Sequence, residues 1–276
     1  MNSMDLETKR GEPRHPHASL DRRPPRRALI LAAGVGRRLR PHTLTRPKCL
    51  VEVGGVSLLH LLLEALYANG IDEWVIVTGY RAEMIREAVD RWEFRPHILR
   101  WVDNPRYEVT NTLYSVALAA PMLAHRGFVL VNADLWIEAS ELHKLVTVDA
   151  RHAMLVDTEV ALDAEAMKVG VDRRGRIVAI SKQLTRGVGE SIGAYRFDSD
   201  TGRRFLDRVA RGVAEERSQD YYEHALDDLY GDGLRAELVR VASRRWVEID
   251  DHRDLERARA CIAAARQSRA WPNELT

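Results

Sequence analysis

No apolar stretch in this 276-residue chain is long enough to cross a bilayer, and no apolar signal segment follows the N-terminus. Both absences argue against a membrane or exported protein, so the cytoplasm is the expected location. Cysteine is scarce: Cys49 and Cys261 stand alone, without neighbours at metal-ligand spacing and without a disulfide framework. A surplus of either charge is missing too. The 42 basic and 41 acidic residues leave a formal net charge of +1, which gives no reason to expect nucleic acid or an anionic membrane as partner. There is no internal repeat. Residues 34–48 lack the third glycine of a dinucleotide-binding fingerprint and the Gly-Lys-Ser/Thr of a P-loop.

What is present is ordinary in bulk, with 45% hydrophobic and 30% charged residues, enough for one large α/β domain or a core with a small lobe. The informative stretch is residues 26–55, RRALILAAGVGRRLRPHTLTRPKCLVEVGG. Its apolar run over residues 28–33 predicts a buried strand. Gly34 and Gly36 follow where a strand would enter a loop, and Arg37, Arg38, Arg40, Arg46 and Lys48 line that loop. Glycines let backbone N–H groups approach an anion, and the cations neutralise it. The competing reading is a plain strand-to-loop turn with a solvated basic flank.

Residues 1–25 are polar, proline-containing and without periodicity, and are expected to form a flexible tail. After the basic loop, VEVGG predicts a short strand and turn, and Ser57 a cap for the helix that ends at Gly70. Strands are expected over residues 74–78 and around 98–103, with a helix between them. Residues 105–112 form a polar loop before a helix whose end is blurred by Pro121. A strong buried strand follows at 128–131. Strand and helix alternating at this spacing argue for βαβ units and a mainly parallel sheet. The second half is richer in strands, including a hairpin around Arg173, Arg174 and Gly175, and predicts a mixed extension of the sheet. Two amphipathic helices, two further strands and a terminal helix complete the chain.

Ligands of open parallel sheets bind outside the carboxyl ends of the strands. Gly34, Asn104 and Asp134 all fall at such ends. Asp134 could instead cap the next turn, but an acid opposite a cationic loop is hard to explain by packing. Asp250 ends another predicted strand far along the chain. If the two acids meet, they can share a divalent cation, and magnesium favours carboxylates, phosphates and waters. A basic loop facing two acids suits phosphoryl or nucleotidyl transfer.

LAAGVGRRLRPHTLTRPKCL resembles the G-x-G-x-R-L-x-P-x-T-x-x-x-P-K-x-L motif of the nucleotidyltransferases that make activated sugars and alcohols. DNPRYEVTNTLYSVAL, VNADLWI, GESIGAYRF and WVEIDDHRDLERA are similar to segments of the phosphocholine and phosphonate cytidylyltransferase branch. The resemblance covers roughly residues 27–265. It implies a Rossmann-like α/β nucleotidyltransferase fold, with a mainly parallel central mixed sheet flanked by helices and a small β-rich extension. It also implies one domain over 26–270, divided into a nucleotide part (26–135), an acceptor part (136–250) and a C-terminal helix (251–267).

The implied activity is magnesium-dependent transfer of CMP from CTP to the phosphate or phosphonate oxygen of a small acceptor. Candidates are choline phosphate, 2-aminoethylphosphonate and 2-hydroxyethylphosphonate. On this resemblance Leu31, Ala32, Ala33, Gly34 and Gly36 would shape the nucleotide loop. Arg37 would meet the β/γ-phosphates, and Lys48 the transferring α-phosphate. Thr78, Gly79, Tyr80, Thr110, Asn111, Thr112 and Ala133 would lie near the base and nucleotide. Asp134 and Asp250 would hold Mg²⁺. The acceptor would draw on Tyr114, Trp136, Lys168, Lys182, Tyr195, Tyr222, Glu223 and Trp246. Aromatic faces suit a quaternary ammonium, and a carboxylate such as Glu223 suits a primary amine. The alternatives are a sugar-1-phosphate or inositol-1-phosphate nucleotidyltransferase, and a nucleotide-sensing regulatory subunit. A homodimer is the base-rate expectation.

Overall fold

The computed structural model describes residues 23–123 and 125–268. The expected N-terminal tail lies outside the described residues apart from Arg23, Pro24 and Pro25. The first strand, β1 (Arg27–Ala32), is buried along its whole length. Its side chains alternate between two cores, as the pleat requires. Ala28, Ile30 and Ala32 enter one core, and Leu29 and Leu31 the other. A strand covered on both faces has no polar alternation, which is why it reads as a continuous apolar run.

β1 pairs in parallel with β4 (Glu73–Thr78) and with β6 (Phe128–Asn132), and β4 pairs in parallel with β5 (Ile98–Asp103). The connecting helices sit on alternate faces. α1 (Leu58–Ala68), α2 (Ala82–Asp90) and α4 (Ala139–Thr147) supply Leu59, Leu62, Ile85 and Leu142 to the first core. α3 (Thr112–Leu123), α5 (Ser199–Ala214) and α6 (Tyr222–Gly231) supply Val116, Phe205 and Leu226 to the second. The result is an α/β/α sandwich. Ser57 caps α1 by accepting from the His60 amide, worth about 1 kcal/mol. Gly70, at φ 74, ends the helix in a conformation that suits glycine. Pro121 lies inside α3, which runs on to Leu123 instead of fraying before it.

The second half extends the sheet with mixed pairing. β11 (Gly189–Phe197) runs antiparallel to β6 and then to β8 (His152–Asp157), which pairs in parallel with β12 (Glu237–Arg240). The β9 (Lys168–Val171) and β10 (Ile177–Ser181) hairpin joins the other half of β11. Gly193, at φ 73, sits where the β11 register shifts, and a Cβ there would lie 2.6 Å from the Asn132 amide nitrogen. Two small sheets complete the molecule: β2 (Glu52–Val53) with β3 (Val56–Ser57), and β7 (Leu135–Ile137) with β13 (Trp246–Glu248). The last helix, α7 (His252–Ser268), packs Leu255, Ala258 and Ile262 onto Leu39, Val53 and Val247. No helix among the described residues is long and apolar enough to cross a membrane.

Candidate active site

The carboxyl ends of β1, β5 and β6 open into a cavity of about 620 Å³. On leaving β1 the chain turns through three short 3₁₀ segments, Arg37–Leu39, His42–Leu44 and Lys48–Leu50. Gly36 enters the first at φ 66, and a Cβ on it would press to 2.8 Å from the Lys48 Cβ. The glycine therefore does two things: it permits the left-handed turn, and it lets the Lys48 stem lie flat against the loop. Tyr80 pins the far side of the loop, donating from its hydroxyl to the Thr43 and Leu44 carbonyls at 3.1 Å.

Antiparallel pairing of β7 with β13 brings the two distant acids together. Glu248 lies opposite Leu135, and the Ile249 amide donates to the Asp134 carbonyl at 3.1 Å. Asp134 precedes one strand and Asp250 follows the other, so the pairing sets them side by side. The Lys48 ammonium bridges them, 2.7 Å from Asp134 Oδ2 and 2.5 Å from Asp250 Oδ1. Burial disfavours that ammonium, but the two carboxylates outweigh it and hold its pKa above the ordinary lysine range. Burial also works against ionised Asp250, yet Lys48 and Arg38 keep its pKa below the usual value. Arg38 Nη2 donates to Asp250 Oδ2 at 2.6 Å.

A third acid completes the group. Carboxylate oxygens of Asp134, Glu248 and Asp250 lie within 4.8 Å of one another. Glu248 is pushed up to about 8, by burial first and then by the charges of Asp134 and Asp250. Asp134 Oδ1 is buried and has no hydrogen-bond partner. Clustered acids, one of them raised and one with an unmatched buried oxygen, form a donor set that fits a hard divalent cation.

The chain matches the family model described as nucleotidyl transferase over residues 27–182. The chain belongs to the nucleotidyltransferase family. Among its relatives is CMP-5'-(3-aminopropyl)phosphonate synthase of Streptomyces rubellomurinus, 30% identical over 85% of this chain but only 38% of that protein's length. Another is CTP:phosphoglutamine cytidylyltransferase of Campylobacter jejuni, 24% identical over 83% of this chain and 97% of the relative. The inositol-1-phosphate CTP transferase from T. maritima shares the fold, with a TM-score of 0.73, 23% identity, and coverage of 89% of this chain and 98% of that one. The CTP:phosphocholine cytidylyltransferase from Streptococcus pneumoniae shares it too, with a TM-score of 0.68 and 21% identity over 86% of this chain and 98% of that one.

In this nucleotidyltransferase the expected residues divide into three groups. Leu31, Ala33, Gly34, Thr110, Asn111, Thr112, Asp134 and Asp250 line the cavity, as do Lys182, Tyr222, Glu223 and Trp246. A second group builds the wall from behind. Ala32 enters the first core, the Ala133 amide donates to the Leu31 carbonyl, and buried Thr78 donates to Asp103. Gly79 has no room for a side chain: a Cβ would meet Tyr107 at 2.7 Å and the Ala33 carbonyl at 2.9 Å. The third group corrects the expectation. Arg37 is exposed and off the cavity wall, whereas its neighbour Arg38 lines the cavity. Successive side chains of a 3₁₀ turn point about 120° apart. Leu39 is committed to the core, so only one of the two arginines can face the acids.

Four acceptor candidates are also off the wall. Trp136 packs against Leu39 and Val247 beneath the small β7–β13 sheet. Tyr114 lies under the Arg106 guanidinium. Lys168 donates to the Lys182 carbonyl at 2.8 Å, bracing the β9–β10 hairpin. Tyr195 is fully buried, sharing a hydrogen bond with Ser191 and donating to Glu223 Oε1 at 3.3 Å. Sequence reasoning missed Glu248. The signal was there: it stands two residues before Asp250, on the same face of an extended chain.

Proposed function

We propose that this enzyme transfers CMP from CTP to a phosphate or phosphonate oxygen of a small acceptor that carries a cationic nitrogen. The acceptor oxygen attacks the α-phosphorus, the α–β phosphoanhydride bond breaks, and pyrophosphate leaves with the electron pair. Residues 26–135 would hold the nucleotide, residues 136–250 the acceptor, and the helix after Asp250 would brace both. The names of the relatives support cytidylyl transfer to phosphonates and other small phosphorylated acceptors.

Glu223 carries the choice of acceptor. It lies on the cavity wall at 6% exposure, and its Oε2 is buried without a hydrogen-bond partner. An unmatched carboxylate oxygen is costly and is matched by a charged N–H donor or a cationic nitrogen. The surroundings agree in sign: nine carboxylates and three cationic side chains line the cavity. Tyr221, Tyr222 and Trp246 add aromatic surface beside it.

Lys48 and Arg38 are the cations that would meet the triphosphate, and the loop at Gly34 and Gly36 would let backbone approach it. Asp134, Glu248 and Asp250 would hold Mg²⁺, which when bound neutralises phosphate charge during transfer. The joint presence of Lys48 and three acids argues for catalysis over a nucleotide-sensing role. The test is a matrix of CTP, UTP, dTTP, ATP and GTP against choline phosphate, 2-aminoethylphosphonate, 2-hydroxyethylphosphonate, inositol phosphate and glucose-1-phosphate, read by pyrophosphate release. CTP with an amine-bearing acceptor is expected to be fastest. Preference for glucose-1-phosphate or inositol phosphate would replace this reading.

A further inference from the structure

Trp246, Glu248 and Asp250 alternate along one extended segment, and all three line the cavity. The first of them is held by an acid that has no part in the chemistry above. Asp157 ends β8 and is fully buried. Its Oδ1 accepts from the amides of Glu159 at 2.9 Å and Val160 at 3.2 Å, and from Ser243 Oγ at 2.8 Å. Its Oδ2 accepts from Trp246 Nε1 at 2.8 Å. Among the described residues no cation lies within ion-pair distance of it.

A buried carboxylate without a counter-cation is expensive unless several donors compensate it. Here they do, and each donor belongs to a segment bordering the site. The indole N–H donates a charge-assisted bond to the carboxylate, which fixes the rotation of the ring as well as its depth. The same side chain holds the turn that carries Val160, another residue of the cavity wall.

We propose that Asp157 is a positioning residue that sets the Trp246 indole, and through it acceptor recognition. The inference rests on the reading of this half of the cavity as the acceptor side. Asp157→Asn is the informative change: asparagine keeps an acceptor oxygen for the Ser243 side of the cluster and offers the indole a donor instead.

Steady-state kinetics with CTP and 2-aminoethylphosphonate give the first readout. D157N is expected to raise the acceptor KM about tenfold or more while leaving the CTP KM within about twofold. W246F is expected to raise the acceptor KM similarly, and D157N/W246F to be no worse than W246F alone. S243A, which leaves the indole bond in place, is expected to change neither KM. Equal rises in both KM values, or D157N and W246F effects that multiply, overturn the proposal. A second readout needs neither turnover nor a folded D157N. The Trp246 indole resonance of the wild type, assigned by its loss in W246F, is expected to shift when 2-aminoethylphosphonate is added to nucleotide-loaded protein. An unmoved resonance overturns the proposal. A moving resonance without pyrophosphate release sinks the transfer reading and leaves the positioning role standing.

Discussion

The Lys48 ammonium stands 2.7 Å from the Asp134 carboxylate, 86 residues further along the chain. Neither could be placed there by local structure alone. Gly36 flattens the loop that carries the lysine, and the β7–β13 pairing presents the acid. The contact joins the cationic and anionic halves of the site, so changes on either side of it should separate chemistry from folding.

Asp134→Asn is the direct test of the anionic half. Asparagine fills the same space, Lys48 keeps Asp250 as a partner, and the Asp134 backbone still accepts from Ile249. The expected outcome is a melting temperature close to wild type with pyrophosphate release lower by about a hundredfold or more. Unchanged pyrophosphate release would remove Asp134 from the proposed metal set.

Lys48→Met removes the cation that keeps three acids compatible. Its side chain is only 11% exposed, so the loss resembles breaking a buried ion pair, about 3 kcal/mol. The variant is expected to melt earlier than wild type in EDTA and to recover most of the difference in millimolar MgCl₂. Wild type should respond less to the same salt, because Lys48 already neutralises the cluster. Thermal melts with and without MgCl₂, in the absence of nucleotide, check this. A variant whose melting ignores the metal would mean that the acids do not share an ion.

Arg38 and Arg37 are adjacent in sequence and opposite in consequence. Arg38 touches Asp250 from the cavity, and Arg37 faces solvent. Arg38→Ala is expected to lower kcat/KM for CTP about a hundredfold. Arg37→Ala should stay within about twofold, as surface substitutions do. Parallel pyrophosphate-release assays on the two variants decide between them.

Much of the scaffold was legible because parallel strands buried on both faces leave an unmistakable apolar run. Residues 28–33 and 128–131 are examples, and the positions just past them were the natural places to seek Gly34 and Asp134. The expected residues that lie off the cavity wall do so for separate physical reasons. Arg37 was chosen over Arg38 although the G-x-G-x-R-L pattern, set on Gly34 and Gly36, places its arginine at Arg38, so here the signal was in the sequence. Trp136 was taken for an acceptor residue because aromatic faces suit a quaternary ammonium, but its strand, Leu135–Ile137, is buried throughout and the indole packs into the core. Tyr195 and Lys168 are polar residues with partners elsewhere in the chain, Glu223 on α6 and the Lys182 carbonyl after β10, and such pairing has no local signature. Asp157 escaped notice for the same reason: its donors come from the next turn and from residues 243–246.

Glu223 links the pH dependence of stability to that of binding. Burial pushes its pKa from the ordinary glutamate value of 4.5 up to about 7 in the folded protein. Between those values the folded state holds a proton that the unfolded chain has released, so the native protein binds more protons and this group's contribution to stability falls as pH rises. The loss begins near pH 4.5 and is complete above pH 7, where it is on the order of 3 kcal/mol. Glu223→Gln cannot ionise. Its denaturation midpoint is therefore expected to match wild type near pH 4.5 and to exceed it increasingly up to about pH 7, with a constant gap beyond. Acceptor binding should run the other way. A cationic nitrogen needs the ionised form, so wild-type affinity for 2-aminoethylphosphonate should strengthen as pH rises through about 7, and E223Q should lose that dependence. Urea denaturation and calorimetric titration across the same pH series measure the two trends. A wild type whose acceptor affinity is flat across this range, or an E223Q variant that binds equally well, would detach Glu223 from the acceptor.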